Sequence, residues 1–295
     1  MVSMLGNYYL KNLFIIFFFI FSFLGKLYCQ SKNQDTITIV SWNVFLRPCI
    51  LNDNQLLRSE QIINYLLSTN ADVLSLQEVF HKKARKKIIN KLKSHYPFHS
   101  KIGRKSFFGV SSGLLTLSKH KITNEEKIYF KQLKGSDKLS SKGAEGLVIH
   151  VSNSNKQIKI INTHFQAGDD NSRKKIRKNQ TEEIIKLKKK SDSIVVFTGD
   201  FNIKFNSENY NNLKRKLSSS FQIPKLTSKI KHTANFSDHT LFPSYGKPSH
   251  IDHIFVYAKN NTARLSNLRI KEPRYEKKRM SDHNPIFGNI VFDKN

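Results

Sequence analysis

Cysteine is scarce in this chain, and its scarcity excludes two common ways of stabilising a fold. Only Cys29 and Cys49 occur in the 295 residues, and we expect Cys29 to be removed with a leader segment. The remaining cysteine could form no internal disulfide, and the chain has no cysteine spacing typical of a zinc site. Folding must therefore rest on a hydrophobic core.

Near its N-terminus, the sequence also lacks a run of about 20 apolar residues, which is the length that a membrane-spanning helix needs. The apolar run over residues 13–24 is twelve residues long and follows Lys11. That length is typical of a signal-peptide core, so we predict a signal peptide over residues 1–29, a mature start near Gln30 and a secreted protein. Because Leu27 and Cys29 are poor cleavage-site residues, a membrane anchor through residues 13–24 is the alternative.

Acidic residues are few: 22 Asp and Glu stand against 50 Lys and Arg, for a formal net charge of +28. Loss of residues 1–29 would leave +26. Such a balance favours polyanionic partners, either an acidic membrane surface or nucleic acid, although lysine-rich helix faces can also be merely solvated. The strongest basic runs, residues 82–93 and 173–190, are predicted to be surface helices.

No stretch rich in glycine, serine and proline divides the chain, so we predict one domain over residues 30–295. Short β-rich runs with a few helices between them indicate an α/β sandwich of two packed sheets. Asn52 or Asp53 is expected to cap the first helix, and residues 131–142 and 206–249 are predicted loops. The predicted strands are residues 36–45, 71–79, 110–118, 146–152, 157–165, 193–202, 250–257 and 285–292.

Five polar islands stand at the ends of these β-rich runs. They offer hard oxygen ligands for Mg²⁺, amides that can bind phosphoryl oxygen, and imidazoles that can move protons. One such island would mean little, but five in sequence point to phosphate-ester hydrolysis. The islands are Trp42-Asn43, Gln77-Glu78, residues 163–166, residues 199–202, and Asp282-His283.

The order of these islands resembles the endonuclease/exonuclease/phosphatase superfamily, whose fold is a two-sheet α/β sandwich of the DNase-like type. Within this superfamily, the short sequence motifs are most similar to those of secreted neutral sphingomyelinases, including the bacterial sphingomyelinase C type. The Gly-Asp-Phe-Asn and Ser-Asp-His elements are general to the superfamily. The narrower elements are Lys142-Gly143-Ala144-Glu145-Gly146 and His164-Phe165-Gln166.

The resemblance implies a Mg²⁺ site, with Mn²⁺ or Co²⁺ as alternative ions. Glu78 would be the principal ligand and Asn43 its neighbour, with Asp282 on the metal side or just behind it. A strand-end carboxylate bonded to loop amides is the structural alternative for Glu78.

The resemblance also implies catalytic roles. Asp200 and Asn202, directed together by an extended segment, would align the nucleophile and bind phosphoryl oxygen. His164 would stabilise the transition state or help the leaving group, unless it is a core histidine bonded to the backbone.

We predict His283 as the general base, oriented by Asp252, because a carboxylate on one ring nitrogen fixes the tautomer and stabilises the imidazolium. A turn residue is the alternative for Asp252. His253 follows directly and should point to the opposite face of its strand, so we assign it no role.

The implied reaction is Mg²⁺-dependent hydrolysis of sphingomyelin to ceramide and phosphocholine by a monomer at a membrane surface. A secreted Mg²⁺-dependent endonuclease acting on DNA or RNA is the alternative. Bacterial sphingomyelinases typically carry an aromatic-tipped β-hairpin before Ser-Asp-His, whereas residues 258–281 here are short and polar. The basic cluster Arg274, Lys277, Lys278 and Arg279 in this segment predicts that charge, including charge on anionic lipid, brings the enzyme to the membrane.

Overall fold

A computed structural model describes residues 36–51, 53–152, 155–219, 224–236 and 247–293. The predicted signal peptide, residues 1–29, and the alternative anchor, residues 13–24, lie outside the described residues. No helix in the described ranges is long and apolar enough to cross a membrane.

Thirteen strands and four α-helices make up the described fold. The strands are β1 (Thr36–Leu46), β2 (Val73–Val79), β3 (Phe98–His99), β4 (Leu115–Ser118), β5 (Lys121–Tyr129), β6 (Gly143–His150), β7 (Gln157–His164), β8 (Ile194–Asp200), β9 (Asp252–Ala258), β10 (Ala263–Ile270), β11 (Arg274–Tyr275), β12 (Lys278–Arg279) and β13 (Ile286–Phe292). The helices are α1 (Gln55–Thr69), α2 (Lys82–Leu92), α3 (Asn171–Ile185) and α4 (Glu208–Leu217).

The strands form two main sheets, as the predicted sandwich requires. The six-stranded sheet has the order β10-β13-β1-β2-β4-β3, and the five-stranded sheet has the order β5-β6-β7-β8-β9. β1 and β2 are parallel in the first sheet, and β7 and β8 are parallel in the second. β11 and β12 form a separate small hairpin.

Alternation along the strands determines which side chains lie between the sheets. In β1, Ile37 and Ile39 belong to a buried cluster shared by both sheets, whereas Val40 and Trp42 pack in a cluster with α1 and α2. Because side chains alternate, the face between the sheets continues to Asn43 at the end of β1. Four other strands run from apolar to polar on this face in the same way, ending or beginning at Gln77, His164, Asp200 and Asp252.

A third cluster closes the outer face of the second sheet. α3 and α4 pack there through Ile184, Tyr210 and Leu213 against the strand residues Phe197 and Phe255. Helices therefore cover both outer faces, and the polar strand ends of both sheets meet at one edge of the sandwich, which we call the site edge.

Several predicted boundaries were wrong. Residues 206–249 contain α4, which Ser207 caps through its hydroxyl and which buries Tyr210, Leu213 and Leu217. The predicted loop over residues 131–142 contains a 3₁₀ helix, Gly135–Leu139. Residues 110–114 precede β4 instead of extending it.

Five strands have no counterpart in the sequence prediction: the long strands β5 and β10 and the two-residue strands β3, β11 and β12. The sequence of β5, KITNEEKIY, shows mostly polar and half-buried positions, because an edge strand needs little apolar surface. β10 also lies at a sheet edge. The segment 258–281 therefore contains an edge strand and the β11–β12 hairpin.

The predicted cap of α1 was also wrong. Asn54 occupies the N-cap in a left-handed conformation without a side-chain cap bond, and Asn52 lies outside the described residues. Asp53 instead pairs with Arg47 at 2.8 Å and with Arg58 at 3.4 Å. Two arginines compete successfully for this carboxylate because each contributes a charge-assisted hydrogen bond.

Candidate active site

His283 and Asp252 form a buried pair at the site edge. His283 Nδ1 lies 2.8 Å from Asp252 Oδ2, and neither side chain is more than 4% exposed. Thr233 Oγ1 accepts hydrogen bonds from the backbone N–H groups of Ile251 and Asp252, which fixes the start of β9. Trp42 Nε1 donates to the His283 carbonyl at 2.9 Å. The pair is thus held from both sheets.

The protonation of His283 is controlled by carboxylates. Burial alone would lower its pKa, but Asp252, Asp200 and Asp282 outweigh burial and raise the pKa well above the usual value. Nδ1 is engaged by Asp252, so Nε2 is the ring nitrogen left to face the site, 3.7 Å from Asp200 Oδ2. This arrangement stabilises an imidazolium and suits a base that accepts a proton at Nε2.

Asp200 ends β8 and is followed by a sharp turn. Asn202 has φ of 52°, its N–H donates to Asp200 Oδ1 at 2.9 Å, and its Nδ2 donates to the Phe165 carbonyl at 3.2 Å. The expectation that an extended segment directs Asp200 and Asn202 together was wrong, since β8 stops at Asp200 and the left-handed turn sets the direction of Asn202. Phe201 between them is buried in the cluster under α4.

Gly199 allows the two parallel strands to approach at this point. Its φ is 146°, and a Cβ placed there would lie 2.0 Å from the Thr163 carbonyl oxygen. The close approach brings His164 into register with Asp200, and His164 Nε2 lies 3.5 Å from Asp200 Oδ2. Glycine is therefore required for this part of the site.

Glu78 departs from strand alternation. Leu76 packs toward the helices, so an extended chain would place Glu78 on that side as well. Glu78 instead adopts φ of 56°, and its carboxylate turns into the site, where Oε1 accepts from Asn43 Nδ2 at 2.9 Å. In the described contacts, the hydrogen bond to this carboxylate comes from the side chain of Asn43 and not from a loop amide.

Asn43 bridges two carboxylates. Its Nδ2 also donates to Asp200 Oδ2 at 3.1 Å, and its Oδ1 accepts from the Phe45 N–H at 3.1 Å. As placed, the amide nitrogen and not the amide oxygen faces the carboxylates, so a ligand role would require rotation of the amide. Ser281 Oγ donates to the Asn43 carbonyl at 2.7 Å and thereby ties the Asp282-His283 segment to β1.

Burial is the main cause of the raised pKa values of the carboxylates at the site edge. Burial raises the pKa of Glu78, against the lowering effects of Lys142 and the Asn43 hydrogen bond. Burial also raises the pKa of Asp200 to about 6, with Asp252 adding to the effect, and raises that of Asp282 to about 6, with Glu78 adding to it. An oxygen-rich set of buried acids that hold protons in this way fits a hard divalent cation.

Two groupings could hold such a cation. In the described residues, ligand atoms of Asp200, Asp252 and His283 lie within 4.8 Å of one another. The Nδ1 nitrogen of His283 is already bonded to Asp252, which is the geometry of a proton-accepting pair. We therefore favour the side of Glu78, whose Oε1 lies 2.9 Å from Asn43 Nδ2 and 3.9 Å from His164 Nε2, with Asp282 as a further carboxylate of the site edge.

Lys142 is a buried cation at the site edge to which sequence reasoning gave no role. Its Nζ lies 2.9 Å from His164 Nε2, 3.1 Å from the Phe165 carbonyl and 2.8 Å from Asp137 Oδ1. Its presence in the Lys142–Gly146 element was the available signal, but spacing alone gave it no role. Gly143 follows it directly, and no side chain fits there because a Cβ would lie 1.9 Å from the Ile128 carbonyl oxygen.

His164 is neutral in this arrangement. Burial lowers its pKa well below the usual value, and the charges of Lys142 and His283 lower it further. Since Lys142 Nζ donates to Nε2, the proton of the ring resides on Nδ1, which has no hydrogen-bond partner in the described structure. His164 is therefore not the backbone-bonded core histidine that was the alternative.

The other residues of the narrower elements are structural. Gln166 bonds both the N–H and the carbonyl of Lys134, and Glu145 accepts from Thr116 Oγ1 at 2.7 Å inside the sandwich. His253 points away from the site and lies with Nε2 2.7 Å from the Ile203 carbonyl, as predicted from alternation.

Comparison with known proteins identifies the family. A profile of the endonuclease/exonuclease/phosphatase family matches residues 40–283. The chain belongs to this family. The predicted superfamily and its DNase-like two-sheet fold are thus confirmed.

Within the endonuclease/exonuclease/phosphatase family, the chain is similar to sphingomyelinases. A sphingomyelinase C from Listeria ivanovii is 27% identical, with 94% of this chain and 93% of that protein covered. The crystal structure of SmcL matches with a TM-score of 0.72 at 26% identity, covering 88% of this chain and 99% of the other.

A mutant of Staphylococcus aureus beta toxin, solved with bound magnesium ions, matches with a TM-score of 0.71 at 23% identity, covering 88% and 99%. At that identity the match shows the fold alone. The family and its sphingomyelinase relatives together make this chain a phosphodiesterase.

Proposed function

We propose that this phosphodiesterase hydrolyses sphingomyelin to ceramide and phosphocholine. The observation that carries the proposal is the buried His283–Asp252 pair, which faces Asp200 and the Glu78–Asn43 pair at the site edge. The substrate class is supported by the Listeria ivanovii relative named sphingomyelinase C, which matches 94% of this chain.

His283 acts as the general base. Its Nε2 removes a proton from water, the water oxygen attacks phosphorus, and the bond between phosphorus and the ceramide oxygen breaks. The carboxylate of Asp252 on Nδ1 stabilises the imidazolium, which returns its proton as the ceramide hydroxyl forms. A positioned base of this kind contributes roughly 100-fold to 10,000-fold in rate.

The positive charge of Lys142 lies behind His164. Its ammonium is bonded to Asp137, His164 and the Phe165 carbonyl, so its charge acts on the phosphate through the ring of His164. Asp200 accepts a hydrogen bond from the Asn43 amide and orients the water. Asn202 places its side-chain oxygen or amide next to these two residues. Mg²⁺, held by Glu78 with Asp282 and Asn43 alongside, supplies charge neutralisation at the phosphate when bound.

A second candidate is Mg²⁺-dependent cleavage of DNA or RNA. The net charge of +28 favours it, because each neutralised backbone phosphate strengthens binding to nucleic acid. The chemistry at phosphorus would be the same, so only the substrate separates the two proposals.

One experiment separates the two substrates. Phosphocholine release from sphingomyelin vesicles and nicking of plasmid DNA are measured side by side, with Mg²⁺ and with chelator. We expect metal-dependent phosphocholine release and no nicking. Metal-dependent nicking without phosphocholine release would establish the endonuclease and overturn the sphingomyelinase proposal.

We further propose that the protein is exported and works as a monomer outside the cytoplasm. N-terminal sequencing of protein from the native host should give a start near Gln30. A chain that retains Met1 and sediments with membranes would favour the anchor through residues 13–24.

A further inference from the structure

Exposed large hydrophobic side chains of the described residues gather at the site edge. Ile50 is 87% exposed and follows β1, which carries Asn43, and Phe205 is 44% exposed and follows β8, which carries Asp200. The others lie in α1's first turn, in segments 101–110 and 131–142, and in the β11–β12 hairpin, all of which join strands at this edge. Scattered exposed hydrophobics are normal, but their confinement to one edge marks an interaction surface.

Phe107 and Phe108 are the most unusual of these side chains. Phe107 is 98% exposed and Phe108 is 61% exposed. They occupy the two central positions of a β-turn in which the Gly109 N–H donates to the Ser106 carbonyl at 2.9 Å. Central turn positions favour glycine, proline, asparagine, aspartate and serine, so local folding gives no reason for two phenylalanines there.

This aromatic turn, residues 106–109, is rigidly built. The Ser106 N–H donates to the Val110 carbonyl at 2.8 Å, and Ser106 Oγ donates to the Leu139 carbonyl at 2.6 Å. Gly109 has φ of 73°, which glycine adopts without strain. A rigid turn pays little ordering entropy when its side chains are buried against a partner.

The aromatic turn lies beside the proposed active site. The segment after it reaches Gly113, whose carbonyl accepts from the N–H of Val79, the residue after Glu78. Phe107 and Lys142 both line one cavity of about 320 Å³. A surface that received the two phenylalanines would therefore face the site.

The charge around the turn determines which surface fits. Lys101, Arg104 and Lys105 precede the phenylalanines and Lys138 lies in the neighbouring segment, and all four are exposed. Residues 101–114 contain no acid. Aromatic tips ringed by cations match the boundary of a phospholipid bilayer, where apolar chains lie beneath a layer of phosphates.

We propose that the aromatic turn is the membrane anchor of this enzyme. Phe107 and Phe108 enter the boundary between headgroups and acyl chains, and the surrounding cations pair with lipid phosphates. The β11–β12 hairpin has Glu276 and Lys277 at its tip, and its one large exposed ring, Tyr275, is only 45% exposed, so we assign the hairpin no part in insertion. The inference rests on the proposed lipid substrate, and its tests measure binding without turnover.

Insertion is tested with tryptophan reporters. The chain has a single tryptophan, Trp42, which is buried, so a new tryptophan reports its own environment. Phe107→Trp fluorescence should shift to the blue and be quenched by brominated lipid when phosphatidylcholine vesicles are added. Tyr275→Trp, the matched reporter on the hairpin, should show neither change. A response at position 275 and none at position 107 would overturn the proposal.

Loss of binding is tested with the double variant Phe107→Ala, Phe108→Ala and its control Tyr275→Ala. The double variant should bind phosphatidylcholine vesicles about tenfold or more weakly, while Tyr275→Ala binds as the unmodified chain does. Hydrolysis of a soluble phosphocholine ester should be unchanged in both. Equal vesicle binding by the double variant would refute the anchor even if sphingomyelin is hydrolysed.

The remaining outcomes are also separable. Tight vesicle binding through the turn without phosphocholine release would refute the substrate proposal and leave the anchor standing. A lipid-free dimer in sedimentation that the double variant abolishes would show that a second copy of the chain covers the turn, which overturns the anchor.

Discussion

At the scale of single residues, Lys142 places a positive charge against the neutral ring of His164. Lys142→Met should therefore lower kcat about 100-fold while the folded protein persists, because the positioned charge is lost where negative charge develops. Turnover of sphingomyelin, corrected for the folded fraction by circular dichroism, measures the effect.

Lys159 provides the matched control for Lys142. Its side chain is 2% exposed and pairs with Glu126 at 3.5 Å and with Asp192 at 3.4 Å, at the end of the sandwich away from the site. Lys159→Met should cost stability and leave kcat per folded molecule unchanged. If both variants lose kcat equally, Lys142 acts through the fold and not on the phosphate.

Gly199 tests the close approach of β7 and β8. Gly199→Ala combines a positive φ with a backbone clash, so we expect a loss of about 2–5 kcal/mol in the free energy of unfolding. Gly109→Ala is the control: its φ is also positive, but nothing lies within 4 Å of the added Cβ. It should cost only about 1 kcal/mol. Urea unfolding of both variants measures the difference, and equal losses would mean that the clash at Thr163 relaxes freely.

Residue types and strand ends were enough to predict which polar residues lie together at the site edge. Asp252, Asp200, Asn43 and His164 lie where strand alternation places an inward-facing polar residue, and His283 lies three residues before β13 begins at Ile286. Glu78 lies at the site edge for a different reason, a left-handed conformation that a strand pattern cannot reveal. Lys142 could not be assigned from sequence, because its contact with His164 depends on the pairing of β6 with β7.

At the scale of elements, the sequence failed to predict a helix with a short apolar stripe and the strands at the sheet edges, because these elements have few apolar residues. α4 needs only Tyr210, Leu213 and Leu217 to cover the second sheet, too few to stand out from a polar segment. The interior strands were predictable because they are buried on both faces and read as continuous apolar runs.

The link between β8 and β9 contains a stack of aromatic rings that predicts acid sensitivity. His250 stacks between Phe205 at 5.1 Å and His253 at 4.9 Å. Burial lowers the pKa of His250 to about 4 and that of His253 well below its usual value. Between about pH 6.5 and pH 4, His250 and His253 take up protons in the unfolded chain but stay neutral in the folded protein. The free energy of unfolding should therefore fall as the pH falls through this window.

His250→Phe isolates this contribution. The variant keeps a stacking ring without a titratable group, and its loss of stability from pH 6.5 to 4 should be about 2–3 kcal/mol smaller than that of the unmodified chain. Comparing the two proteins cancels the site carboxylates, whose raised pKa values act in the opposite direction. Urea midpoints across this pH range provide the measurement, and parallel curves would show that His250 titrates normally.

At the scale of the whole molecule, the excess of basic residues should govern arrival at the membrane. Each basic side chain near an anionic surface contributes about 1 kcal/mol, and the attraction decays over roughly 8 Å at physiological salt. Turnover on sphingomyelin vesicles should rise when phosphatidylserine is added and fall between low and high salt. Hydrolysis of a soluble phosphocholine ester is the control and should change little. If turnover on vesicles changes with neither salt nor anionic lipid, the basic residues form only a solvated surface and do not bring the enzyme to the membrane.

The central claim is that Glu78 and His283 have different roles in the reaction. Glu78 holds the cation and His283 moves the proton, so their variants should fail in different ways. The measurement is Mg²⁺ binding by calorimetry together with phosphocholine release for Glu78→Gln and His283→Ala. We predict that Glu78→Gln loses Mg²⁺ binding, whereas His283→Ala retains it and loses turnover by about 100-fold or more. Full activity in chelator, or a His283→Ala enzyme within about threefold of the unmodified one, would contradict the account.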